Sequence, residues 1–96
     1  MAHFVVLANF TQKGIQGFKE TAKRADSFRD AAKRMGVTIK DIFWTLGVFD
    51  VVLTMEAAND EAVAGLMMKV GSLGNLTSQT LRAFDQSEIG AILNKL

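Results

Sequence analysis

The sequence predicts an α+β fold: a four-stranded antiparallel sheet with two helices on one face and a further helix at the C-terminus. Three observations carry this expectation. Two β-rich runs, Val37–Leu46 and Asp50–Ala57, meet at Gly47, the one residue between them that enters φ > 0 without steric cost. The stretches on either side of this pair carry apolar residues at spacings of three and four, the pattern of helices with one buried face. A strand-like run then stands at each outer end, and the order reads β-α-β-β-α-β-α, whose first six elements match the split β-α-β unit of the ferredoxin-like fold.

The elements follow in chain order. His3–Phe10 is the first predicted strand, and its contiguous Val5, Val6 and Leu7 suit a strand buried on both faces. Thr11 is placed to cap the helical stretch that follows. From Gln12 to Met35, Ile15, Phe18, Ala22, Ala25, Phe28, Ala32 and Met35 form one apolar stripe. Gly14 and Gly17 weaken its first turns by roughly 1 kcal/mol each against alanine, so a break near Thr21 is expected, with Thr21 capping the stronger half. The outer face is basic, and Glu20–Arg24 and Asp30–Arg34 have the spacing of i,i+4 ion pairs. Gly36 ends the helix.

Val37–Leu46 and Asp50–Ala57 are the second and third strands. Val51, Leu53 and Met55 alternate with Val52, Thr54 and Glu56, one face more polar than the other. Register stays open. A two-residue loop puts Trp44 and Ile42 on the face of Val51 and Leu53; a three-residue loop puts them with Val52 and Thr54. Asn59 is an N-cap with Asp60 and Glu61 behind it. Ala62, Val63, Leu66, Met67 and Val70 form the second helix stripe, and Gly71 and Gly74 are expected to end it. Asn75–Phe84 is the fourth strand, with Leu76, Ser78, Thr80, Arg82 and Phe84 on one face. Asp85 and Glu88 form a capping box for the last helix, whose apolar side is Ile89, Ile92, Leu93 and Leu96.

Length and composition set limits. The 96 residues make one domain, 49% hydrophobic and 22% charged, so globular rather than disordered. Without cysteine there is no disulfide, thiolate metal site or thiol nucleophile. The N-terminal apolar run is too short for a signal peptide or membrane span, and a cytoplasmic location is expected. A net charge of +1 gives no case for nucleic acid as a partner. One histidine and scattered carboxylates match no metal-ligand spacing, so neither metal nor cofactor is expected. With two helices on one sheet face, the other face must meet something if it carries residues such as Trp44 or Phe84, and a second copy of the chain is the simplest cover.

Individual residues have competing readings. Asp50 after a turn glycine fits a carboxylate that fixes the turn, and equally a general base or ligand-orienting group. Trp44 fits a core or interface aromatic, or a ring covering a ligand. His3, the only histidine, is idle or shuttles a proton beside Asp50 or Glu56. Arg82 in a strand needs a partner, such as Asp50, Glu56 or a neighbouring subunit, or else it binds an anion, with Ser78 and Thr80 on the same face.

Four blocks carry a family resemblance: N-F-T-Q-K-G-I (Asn9–Ile15), R-A-D-S-F-R (Arg24–Arg29), W-T-L-G-V-F-D-V-V-L (Trp44–Leu53) and G-S-L-G-N-L-T-S-Q-T-L-R-A-F (Gly71–Phe84). Together they resemble the GYD domain family of small bacterial and archaeal proteins. The resemblance implies a ferredoxin-like fold that forms dimers or larger assemblies, and implies no activity. The family's tyrosine position falls at Phe49, while Gly47 and Asp50 are kept, so a phenolic role is absent here. A fold-level likeness to the amino-acid-sensing domains of feast/famine-type bacterial regulators is analogy alone.

Two functions follow as expectations. The first is a homo-oligomeric domain, structural or binding a small ligand near a subunit interface through Trp44, Phe49, Asp50, Thr80 and Arg82. The alternative is a cofactor-independent enzyme of the dimeric α+β-barrel type acting on an apolar molecule, with His3, Asp50 or Arg82 turned into one cavity. A lesser reading gives the basic helix face a protein partner.

Overall fold

The computed structural model describes residues 1–96. It contains strands β1 (Ala2–Phe10), β2 (Val37–Trp44), β3 (Val51–Ala57) and β4 (Leu76–Ala83), and helices α1 (Gln12–Gln16), α2 (Thr21–Arg34), α3 (Asp60–Ser72) and α4 (Gln86–Leu93). The sheet order is β2-β3-β1-β4 with every neighbouring pair antiparallel, which is the ferredoxin-like topology.

The helix-side face carries the core. Phe4 and Val6 of β1, Leu53, Met55 and Ala57 of β3, and Val37 of β2 pack against Ala32 of α2 and Val63 and Leu66 of α3. β1 lies mid-sheet as expected, yet only alternate residues are fully buried, because the other sheet face has no covering layer. Val5, Leu7 and Val52 on that open face are half-buried, and Phe43 and Leu81 are exposed. No helix is long and apolar enough to cross a membrane.

Register comes from a longer connection than either alternative above. Trp44 pairs with Val51, and beyond it the Thr45 N–H donates to the Asp50 carbonyl, so Leu46–Phe49 form the tip around Gly47 at φ 112°. An extra residue at Lys40 bulges β2. The bulge restores the alternation, and Ile39, Ile42 and Trp44 all share the face of Met55, Leu53 and Val51. Trp44 therefore faces the helices, not the open side of the sheet.

The helical stretch Gln12–Met35 divides at Gly17, through a 3-10 turn at Phe18–Glu20. Thr11 caps α1, its side chain accepting from the Gly14 N–H. Thr21 does not cap α2; its hydroxyl accepts from the Trp44 indole N–H at 2.9 Å. The expected i,i+4 pairs are absent. Arg24 instead donates to the carbonyls of Gly14 and Gly17 at 3.1 and 2.9 Å, closing the end of α1, and Glu20 pairs with Lys23 at 3.7 Å. α3 is capped by Asn59 but runs through Gly71 to Ser72 before the chain turns at Gly74.

α4 begins in the expected capping box, with Glu88 N–H donating to Asp85 at 2.8 Å and Asp85 N–H to Glu88 at 3.0 Å. Its apolar side is left largely open: Ile89 and Ile92 are 40% and 41% exposed, Leu93 is 59% exposed, and Leu96 lies beyond the end of the helix. The radius of gyration is 14.4 Å, against about 12.5 Å for a compact chain of this length.

Candidate functional site

The two helix stripes explain where the main cavity lies. α2 presents Ala25 and Ala31 beside Phe28, and α3 presents Gly71 beside Met67 and Val70. These small residues do not fill the space between the helices, although the strands beneath are close-packed. A cavity of about 600 Å³ results, floored by β1 and β3 through Val6, Ala8 and Leu53 and walled by α2 and α3. Trp44 and Leu76 line it from the two edge strands. Trp44 is 47% exposed and is fixed by its bond to Thr21.

The turn before β3 fastens the hairpin to the end of β1. One Asp50 carboxylate oxygen accepts from the Phe10 N–H at 2.9 Å and the Asn9 amide at 3.4 Å. The Asp50 N–H donates to the Ala8 carbonyl, and the Asn9 amide donates to the Val48 carbonyl at 2.7 Å. Here Asp50 fixes a turn, and its carboxylate points at backbone rather than into the cavity.

A second cluster forms where β1 begins. His3 Nδ1 lies 3.4 Å from Glu56, and Nε2 lies 3.3 Å from Asp85 and 3.4 Å from Glu88. The ligand atoms of His3, Asp85 and Glu88 all fall within 4.8 Å of one another, close enough to share a cation. Two of those carboxylates already hold the capping box, so the cluster's visible work is to tie the start of α4 to β1. The Glu88 N–H holds the Asp85 carboxyl below its ordinary value of 3.8 against the opposing effect of desolvation, with His3 and the Ser87 N–H adding to the lowering. Arg82 meets Glu88 at 3.9 Å, rests over the Phe84 ring at 4.4 Å, and donates to the carbonyls of His3 and Ala83. Its partner is Glu88, not Asp50 or Glu56.

The expected ligand set is thus dispersed. Trp44 lines the cavity, while Phe49 sits on the other side of the sheet in a small pocket beside Leu7, Asn9 and Gln79. Thr80 and Arg82 share the helix-side face through pairing with Val6 and Phe4, but lie outside the cavity lining. His3 and Asp50 stand at opposite ends of β1, on the order of 20 Å apart at ~3.3 Å per residue. The core-stripe residues Phe28, Met67 and Val70 give no sign of a cavity by type; the small Ala25 and Ala31 beside Phe28 are the one available signal.

Comparison with known proteins agrees with this architecture. The chain is 28% identical over 94 residues to a protein of Thermus thermophilus named "Glutamine synthetase and cystathionine beta-lyase binding protein", covering 97% of this chain and 99% of that one. It also resembles the crystal structure of TTHA0845 from the same organism, with a TM-score of 0.57 and 17% identity over 88% of this chain and 95% of the other, a likeness of fold alone. The description of the GYD domain matches residues 4–93. The chain therefore belongs to the GYD domain family.

Proposed function

We propose that the chain is a homo-oligomeric binding domain. Copies pair through the open sheet face, with α4 reaching across to the neighbour, and the helix-side cavity takes a small apolar molecule. The observation that carries this reading is the set of apolar side chains left exposed on the sheet face away from the core. Phe43 and Leu81 are exposed there beside the half-buried Leu7 and Val52, and the stripe of α4 adds exposed Ile89, Ile92 and Leu93. Contiguous apolar surface of this kind marks an interface.

α4 and the exposed hairpin tip at Leu46 and Val48 add apolar surface to that of the sheet. The ligand site lies inside one subunit on the helix side, so it is not built from the face proposed for pairing. The cavity holds no carboxylate–histidine pair, because His3 and Asp50 are far from it and from each other, and the binding reading is therefore preferred to the enzymatic one.

The named binding activity of the Thermus relative favours a second use of the same exposed surface, docking of a different protein. Light scattering on the parent and on Leu81→Lys with Phe43→Lys separates the two. Self-pairing requires an oligomeric parent and a monomeric double variant with unchanged circular dichroism. A parent that is monomeric at micromolar concentration refutes self-pairing and leaves the surface to another protein.

A further inference from the structure

We infer that the cavity between α2, α3 and the sheet receives an anionic amphiphile, a free molecule with an apolar chain or ring body and a carboxylate-like head. This rests on reading the cavity as a ligand site and adds the chemical class. The interior is apolar, with Val6, Phe28, Leu53, Met67 and Val70 around it. A polar body would lose its hydration there and find little to replace it. At about 600 Å³ the space falls within the ~300–1,000 Å³ typical of small-molecule sites.

The rim supplies the sign of the head group. Lys23, Arg24, Arg34 and Lys69 line the cavity, and Glu20 is the one carboxylate among the lining residues. Four cations against one anion is a local excess on a chain whose net charge is only +1. Glu20 pairs with Lys23, and Arg24 is held by the carbonyls closing α1. Arg34 and Lys69 are exposed and make no ion pair, so they are free to meet an incoming anion. Because both are solvated, the head contributes preference and salt sensitivity, while the apolar body contributes most of the affinity.

Trp44 is the only tryptophan and lines the cavity, so its emission reports occupancy in the full chain. The probes are dodecanoate below its micelle concentration, dodecyltrimethylammonium with the same chain and opposite head, and anionic phospholipid vesicles. The expected result is a saturable change with dodecanoate and binding of the ammonium probe about tenfold weaker or more. The paired charge reversals Arg34→Glu and Lys69→Glu should invert that preference, and Val70→Phe should weaken binding of both probes by narrowing the space. Equal binding of the two heads overturns the anionic class but leaves the cavity a ligand site. No saturable response to either head overturns the cavity reading itself. A response to vesicles without one to free dodecanoate overturns the proposal in favour of a membrane surface.

Discussion

The Asp50 carboxylate offers the sharpest test of how the hairpin is held. Asp50→Ala removes the acceptor for the Phe10 N–H at 2.9 Å, while Asn9 keeps its bond to Val48. A hydrogen bond to a charged group contributes about 1.5–3 kcal/mol. Phe10 and Asp50 are only half-buried, and water partly replaces the lost acceptor. The lower part of the range applies, about 1.5–2 kcal/mol. For a chain of this size that lowers the melting temperature by about 6–16 °C. Asp50→Asn keeps an oxygen but loses the charge, and neutral bonds are about half as strong, so its loss should be near 1 kcal/mol. The assay is thermal unfolding by circular dichroism at one fixed protein concentration, since assembly makes the midpoint concentration-dependent. A drop below about 2 °C for Asp50→Ala would refute the argument that the carboxylate clamps the turn. Equal losses for the alanine and asparagine variants would refute the part assigned to charge.

Other expected outcomes follow from single contacts. Gly14 lies against the start of β4, where an added Cβ would come within 2.0 Å of the Asn75 carbonyl oxygen; Gly14→Ala should cost about 1–3 kcal/mol in urea unfolding through backbone displacement. Leu66 is fully buried, and Leu66→Ala should cost about 2.7–5 kcal/mol by the same measurement. Trp44→Phe removes the bond to Thr21 while keeping most of the ring, so chemical unfolding should show a loss under about 1.5 kcal/mol. Asp85 has a folded pKa below 3.8, so its contribution is complete above 3.8 and is lost as pH falls through the lower folded value. Helicity at 222 nm in an acid titration should fall in that window for the parent, and Asp85→Asn should remove that component.

The fold was legible because its signals are local. Thr11, Asn59 and Asp85 announced three helix starts, Gly36 and Gly47 two reversals, and the alternation of β3 its buried side. Local signals mislead where a side chain has two uses. Thr21 is a good cap by type, but the indole of Trp44 takes its hydroxyl. Arg24 is a good i,i+4 partner by spacing, but the carbonyls at the end of α1 compete for it. The face of Trp44 depended on a bulge at Lys40 and a longer hairpin tip, neither of which has a marker in the residues. The site was less legible than the fold. Chemical type singles out His3, Asp50 and Arg82, each tied to backbone or ion-pair contacts elsewhere. The cavity arises from small residues between two helices, and absent volume leaves only a faint trace in a list of side chains.

On the proposed pairing, the bare sheet face and the exposed apolar side of α4 are covered by another copy of the chain. Sedimentation equilibrium of the parent at micromolar concentration reads this out. Pairing gives a mass of at least twice 10.5 kDa; a single species of 10.5 kDa across the concentration range contradicts it.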